Sequence, residues 1–269
     1  MALLAPVLSS VFGPSGAKGI GNLVKSFDFS EINVKDSTVD DYLHVGLAPS
    51  YGKLDKESIK KMDEKLKVII SGTMHALEKK RAEVKRALTW EEVMSVMMQN
   101  SLLEPADGKV DRADKLIKPS KVNAFKFDGS PNDTIVKEVQ SWFTGFINDQ
   151  DVLDATKIDI KVMGEIVAQT GATVTSFETF FYKEEHHEKT LIDIGILRFP
   201  DIDHPYFKVY RIKVTAWSAS ARFLFVQEDQ SGITGEFNAR NFRPRESVIS
   251  GLKRETLDQA VKEAEALFG

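Results

Sequence analysis

With 269 residues, 42% of them hydrophobic, the chain is long enough to bury a proper core as one large domain or two modest ones, without metals or disulfides. It has no cysteine, which excludes a disulfide framework, thiolate chemistry and cysteine-ligated zinc and fits a reducing, intracellular compartment. A formal net charge of −4 argues against bulk attraction to nucleic acid or anionic lipid, so any such attraction has to come from a local patch.

The opening stretch MALLAPVLSSVFGPSGAKG is apolar but has no basic start and is interrupted by Pro6 and Pro14, so no secretory signal is expected. Its glycine-rich part, GPSGAKGIG at 13–21, is not a phosphate loop, because Gly19 follows the lysine where Ser or Thr is required and no strand precedes it. It reads as a turn-forming segment. Between Asp55 and Leu88, Ile59, Met62, Leu66, Ile69 and Ile70 recur at helical spacing, with Gly72 weakening the helix midway and the charged EKKRAEVKR (78–86) as a solvated face. Thr89 and Glu92 form a capping box that opens a second helix carrying Val93, Val96, Met97 and Leu103 before Pro105, its methionines serving as core filler.

A polar connector containing Asp107-Gly108 follows. From Asp133 the stripe Ile135, Val136, Val139, Trp142, Phe143, Phe146 and Ile147 is the clearest amphipathic helix in the chain. Downstream the period changes to two: 157–169, 173–182, 191–199, 207–217 and 222–227 read as successive strands rich in β-branched and aromatic residues. Helices first and strands afterwards predict an α+β fold, an antiparallel twisted sheet with surrounding helices. After Pro244, Thr256 and Gln259 form a further capping box over a helical stripe of Leu257, Val261, Ala264 and Phe268. No segment approaches the roughly 20 apolar residues of a membrane-spanning helix, so the chain reads as made soluble, while strands of about 9–11 residues could still cross a bilayer as a closed barrel.

Motifs for chemistry are few. EEHHE (184–188) has metal-ligand residue types, but adjacent histidines in a strand point to opposite faces and no H-E-x-x-H spacing exists, so a solvated loop is expected. Asp201, Asp203 and His204 in FPDIDHPYF read as a tight connection between strands; as an acid–base or ligand group they lack any accompanying nucleophile motif. His44 and His75 have no partner at a telling spacing. The strand FKVYRIKVTAW interleaves Val209, Tyr210, Ile212, Val214, Ala216 and Trp217 with Lys208, Arg211 and Lys213, and Arg222 follows, which predicts one apolar and one cationic face. Between Pro205 and Arg254 nine Lys/Arg stand against four acids, a local excess of +5 that suits acidic lipid, an acidic partner or nucleic acid, although no RRM or KH signature is present. The same alternation fits an ordinary half-buried strand with cations facing water.

IDIKVMGEIVAQTGATVTSFETFFY, a polar linker, and then FKVYRIKVTAWSASARFLFVQED resemble, in pattern and order, the second β-hairpin region of the gasdermin pore-forming domain, above all the compact fungal gasdermin-like cell-death proteins. The short tail 246–269 is similar to the brief C-terminal segment of those members. The resemblance covers residues 155–269. It implies a pore-forming domain over 1–245 and a short restraining helical segment over 246–269. It also implies a cytoplasmic, non-enzymatic protein without cofactor or nucleic-acid partner that moves to the plasma membrane once a protease, a partner or lipid activates it, then self-associates into a ring and a membrane barrel. It assigns lipid contact to Lys208, Arg211, Lys213 and Arg222, with headgroup attraction of roughly 1 kcal/mol per cation near the surface. Insertion falls to strands containing Ile158, Ile160, Val162 and Ile166 and Val209, Tyr210, Ile212 and Val214, and restraint to Leu257, Val261 and Phe268. The competing expectations are a non-catalytic interaction module whose basic sheet binds an acidic partner or nucleic acid, and an enzyme using Asp201, Asp203 and His204.

Overall fold

The computed structural model describes residues 33–118, 122–124, 132–169, 182–223 and 226–251. In chain order the elements are β1 (Asn33–Leu47), a single 3-10 turn (Pro49–Tyr51), α1 (Glu57–Val84), α2 (Trp90–Gln99), β2 (Leu103–Lys118) and β3 (Val122–Ala124). They continue with α3 (Asp133–Ile147), α4 (Gln150–Ala155), α5 (Ile160–Ala168), β4 (Tyr182–Phe199), β5 (Tyr206–Phe223), β6 (Val226–Pro244) and α6 (Glu246–Gly251). The α+β class holds. Two of its details do not: strands and helices alternate instead of segregating, and the sheet is mixed.

The sheet runs β1-β4-β5-β6-β2, with β3 also paired to β6. β4, β5 and β6 form an antiparallel meander with an uninterrupted register, Phe199 opposite Tyr206 at one end and Tyr182 opposite Phe223 at the other. β2 pairs antiparallel to β6, with a bulge between Pro105 and Lys109. β1 pairs parallel to β4, from Asn33 opposite Glu184 to Leu47 opposite Arg198. That single parallel joint arises because β1 and β4 are separated by some 130 residues of crossover, not by a hairpin.

Each face of the sheet carries its own helical layer. On one face Leu66, Ile69, Ile70 and Leu77 of α1 and Val93 and Met97 of α2 pack against Ile192, Ile194, Ile196, Phe207, Val209 and Phe242. On the other, Val139, Phe143, Phe146 and Ile147 of α3 and Met163 and Val167 of α5 pack against Leu191, Leu197, Tyr210, Ile212, Val214, Ile233 and Phe237. The helices form where the apolar period and end signals agree. The Thr89 side chain caps the Glu92 N–H of α2 while the Glu92 carboxylate accepts from the Thr89 N–H, and Asn132 caps α3 through the Thr134 N–H. α1 runs through Gly72 without interruption, and α2 stops at Gln99, so that Leu103 begins β2.

Residues 157–169 are not a strand. Asp159 Oδ1 accepts from the Lys161 and Val162 N–H groups, and Met163, Gly164, Val167 and Ala168 bury one helical stripe, so α5 forms despite the alternating Ile158, Ile160 and Val162. Of the expected strand 173–182 only Tyr182 is among the described residues, as the start of β4. Arg222 and Phe223 end β5, and Val226 opens β6, a 19-residue strand that the sequence reading stopped at Gln227. Gly232 and Gly235 masked it. A Cβ at Gly235 would lie 2.7 Å from the Phe146 ring and 2.9 Å from Trp142, so the glycine is what lets the aromatics of α3 press onto the sheet. The Asp107-Gly108 connector and the EEHHE stretch are likewise strand, in β2 and β4.

The α1 layer is tied to the sheet by a buried ion pair. Arg198 Nε and Nη2 donate to the two carboxylate oxygens of Asp63 at 2.9 and 3.3 Å, both residues being at most 5% exposed. Asp63→Ala should therefore cost about 3–5 kcal/mol in urea unfolding by stranding the guanidinium, and Asp63→Leu with Arg198→Met should recover much of that loss. In the α2 cap, hydrogen bonds from Arg86 and from the Thr89 N–H hold the Glu92 carboxyl at about 2, below its ordinary 4.5. A carboxyl lowered in the folded state stabilises above its unfolded value, and that contribution fades as pH falls from about 4.5 towards 2. Glu92→Gln is expected to flatten that part of the Tm-against-pH curve.

Candidate functional site

β5 sends even-numbered side chains to the α3 layer and odd-numbered ones to the α1 layer, as the buried partners of Tyr210, Ile212 and Val214 on one side and Phe207 and Val209 on the other show. The four cations therefore divide two and two. Lys208 lies on the α3 side, where its Nζ donates to Asp149 Oδ2 at 2.8 Å and sits 5.1 Å above the Phe199 ring, itself stacked on Tyr206. Arg222, on the same side, is buried, and burial lowers its guanidinium pKa against the opposing pull of Glu185 and Asp229. On the other side Arg211 donates through Nε to the Leu88 carbonyl and through Nη1 to Glu236 Oε2, each at 3.1 Å, and Lys213 Nζ donates to Glu236 Oε1 at 3.3 Å. Burial pushes the Glu236 carboxyl up, but Arg211 and Lys213 outweigh it and hold the group below its ordinary value.

The expected cationic face does not exist in this fold. Interleaving by residue identity did not respect the parity of the strand, which mixes apolar and charged residues on both sides. The local excess of +5 is also answered from outside its window: Asp149 meets Lys208, and Glu104 meets Arg243 Nε at 2.6 Å. Val209, Tyr210, Ile212 and Val214 are fully buried core residues. Ile158 precedes α5, and Ile160, Val162 and Ile166 lie within it, so these four are not strand residues in this structure. Leu257, Val261 and Phe268 lie outside the described residues.

The remaining candidates separate as well. His186 and His187 occupy opposite faces of β4, 3.7 Å from Glu188 and 3.9 Å from Glu185 respectively. Asp201 Oδ1 accepts from the backbone N–H groups of Asp203 and His204 at 2.9 and 2.8 Å, tying the β4–β5 turn, and so stands as a turn former. Among the described residues no three His, Asp or Glu side chains are arranged to hold a metal.

One constellation escaped the sequence reading. Asp193 of β4, wholly buried, accepts four hydrogen bonds: from His44 Nε2 of β1 at 2.9 Å, the Tyr210 hydroxyl at 3.2 Å, Thr156 Oγ1 at 2.6 Å and the Lys157 N–H at 3.0 Å. The Tyr210 hydroxyl also lies 3.0 Å from His44 Nε2, which fits a ring whose Nε2 carries the proton. Burial, then the nearby Asp193 charge, pushes the Tyr210 hydroxyl far up, so it stays a donor throughout the working range. Gly195 makes this possible, since a Cβ there would lie 2.4 Å from the Tyr210 ring. The four residues stand at positions 44, 156, 193 and 210, and no local pattern links them; only the lone glycine inside IDIGIL hinted at a close approach. The arrangement pins β1, β4, β5 and the α4–α5 connection to one another.

No protein-family model and no curated protein matches the chain. No described helix is long and apolar enough to cross a membrane, a statement that does not bear on strands.

Tyr210→Phe should cost about 1.5–3 kcal/mol in chemical denaturation, one hydrogen bond to a charged acceptor. Asp193→Asn should cost more, because it removes the charge and turns a donor towards the other donors. Equal losses from the two changes would show that the carboxylate is not the hub.

Proposed function

We propose that this chain is a pore-forming effector of regulated cell death, of the gasdermin kind, which moves to the plasma membrane, binds acidic phospholipid and opens its sheet into the bilayer. The observation that carries the reading is the β4–β5–β6 meander: strands of 18, 18 and 19 residues in unbroken register. At about 3.3 Å per residue each reaches about 60 Å, twice the hydrocarbon thickness of a bilayer, and a membrane strand needs only about 9–11 residues. Every ladder bond inside the meander is already made between neighbouring strands, which is the condition a strand must meet in lipid. Of the stretches that carried the resemblance, the first is helical over 160–168, whereas 207–223 and 226–229 fall in β5 and the start of β6, and β4 takes the place of the polar linker.

The middle of the meander is partly two-sided, as a barrel wall would be. Leu191, Ile212, Val214, Ala216, Ile233 and Phe237 share the side under α3 and α5 with Asp193, whereas Thr190, Arg211, Lys213, Thr215, Thr234 and Glu236 share the other with Ile192 and Ile194. Freed of α3–α5, the first set would meet acyl chains and the second would meet water, with Arg211 and Lys213 reaching headgroups where the strands leave the hydrocarbon. The layers are held to the meander by side chains, namely Lys208–Asp149, Thr156–Asp193, Arg198–Asp63 and Arg211 to the Leu88 carbonyl, so moving them breaks no strand pairing. The alternative, a basic sheet for an acidic partner or nucleic acid, needs its cations on display, and three of the four are buried or half-buried against partners.

Dye release from acidic vesicles is the expected readout for the native sequence. Because the chain has no cysteine, Lys208→Cys with Asp149→Cys supplies a unique pair that a short bis-methanethiosulfonate can join through two reducible disulfides, each thiolate displacing methanesulfinate, locking the α3 layer onto β5. The locked protein should release no dye, and reduction should restore release. Absence of leakage from the native chain on every acidic vesicle, or undiminished leakage from the locked form, would end the proposal.

A further inference from the structure

We infer that copies of this chain join head to tail through the two outer strands of the sheet, β1 of one copy pairing antiparallel with β2 of the next. The inference deepens the pore reading by naming the surface through which a ring would close, and it has its own measurement.

β1 and β2 are the ends of the strand order, and among the described residues neither pairs with anything on its outer side. They are long, at 15 and 16 residues. Residues 35–39 of β1 and 111–115 of β2 are exposed on both faces in succession, unlike any run in β5. A strand edge of this length offers a row of unmet N–H and C=O groups. The usual defences are confined: the bulge and Pro105 of β2 lie at one end, away from 111–118, and β1 has no proline at all.

Strand direction favours continuation. β1 runs parallel to β4, and β4, β5, β6 and β2 then alternate, so β2 runs opposite to β1. A copy displaced sideways, without being turned over, therefore sets its β1 antiparallel to the first copy's β2, keeping both helical layers on their own sides. Charge separates this joint from a symmetric one. β1 carries Asp36, Asp40 and Asp41 against Lys35, a net −2, whereas β2 is balanced, with Lys109, Arg112, Lys115 and Lys118 against Glu104, Asp107, Asp111 and Asp114. Two β1 edges would repel, and β1 against β2 would not.

Side chains give a register. Val39 and Ile117 are large apolar residues left 65% and 50% exposed, and both project from the α1 face, in the rows of Thr190 and Gly232 respectively. Setting Val39 opposite Ile117 in an antiparallel pair covers both exposed apolar groups and brings Lys115 opposite Asp41, which is paired with Arg81 at 2.7 Å. A head-to-tail joint of this kind closes into a ring or grows into a filament according to its rotation.

The test uses the full chain carrying Val39→Cys or Ile117→Cys, each alone and mixed one to one, oxidised in solution and on acidic vesicles. Opposed residues of an antiparallel pair have Cα atoms about 4.5–5.5 Å apart, inside disulfide reach. The mixture should give the heterotypic dimer in about tenfold excess over either homodimer, because only opposed Cα atoms within about 7 Å can bridge. The double variant should give a ladder of higher species. Homodimers of Val39→Cys forming as fast as heterodimers, or no cross-link under conditions where dye escapes, would overturn the joint while leaving the pore reading intact. A ladder without any leakage would support the joint and remove the pore reading.

Discussion

A strand covered by helices on both faces leaves its charged side chains no water to turn to, and each must be met by a partner delivered from another element. Most of the tertiary wiring of this molecule answers that demand. Asp193 draws donors from β1, β5 and the α4–α5 connection, Arg198 is met by α1, Lys208 by the residue that opens α4, and Arg211 by β6 and the chain between α1 and α2. These pairs add specificity of placement more than net stability, since a buried ion pair commonly only offsets its own desolvation. The apolar contacts hold the layers on; the charges decide where the layers sit.

That division of labour matters for the opening proposed above. Apolar helix faces exchange one nonpolar surface for another when a bilayer replaces a neighbouring layer, so hydrophobic burial gives the closed form little advantage over the inserted one. Desolvated charges behave differently. Asp193 lies on the same side of the meander as Leu191, Ile212 and Phe237, and without Thr156 and Lys157 it would face hydrocarbon with only His44 and Tyr210 left as donors. In the proposed opening, the polar cost of releasing the α3 layer would therefore fall on Asp193, on Lys208, which would lose Asp149, and on Arg112, which would lose the carbonyls of Phe146 and Ile147. The other side of the meander has Thr190 and Thr215 hydrogen-bonded to each other across β4 and β5 at 2.9 Å, beside Ile192, Ile194, Ile196 and Val209, which the α1 layer keeps from water.

The sequence disclosed the parts that obey one rule at a time. The capping box at Thr89 and Glu92, the α3 stripe and the apolar alternation of 191–199 and 207–217 were legible because local period and burial coincide there. β1 and β2 were not. Sequences such as VKDSTVDDY and VDRADK are mostly exposed, and their strand state comes from backbone pairing with β4 and β6, which leaves no apolar signature. α5 failed for the opposite reason: Ile158, Ile160 and Val162 alternate as a strand would, but the Asp159 cap and the Met163–Val167 spacing decide for a helix. The Asp193 network was hidden because its members meet only when β1 lies beside β4, a parallel placement that no short-range pattern encodes.

The route of the chain explains why the meander is both enclosed and separable. From β1 at one edge, α1 and α2 cross one face to β2 at the far edge; α3–α5 then cross the other face and return the chain to β4, next to β1. The two early strands therefore bracket the three late ones, and each helical layer is a loop passing over the sheet, anchored at its ends and tied by side chains in between. Neither layer threads through the strands, so lifting one does not require the other to move or any strand to unzip. The same route leaves the edges to the two most exposed of the long strands and sets them antiparallel. Among the described residues, a sheet whose interior is buried on both faces thus keeps its unpaired strand edges where another sheet can reach them.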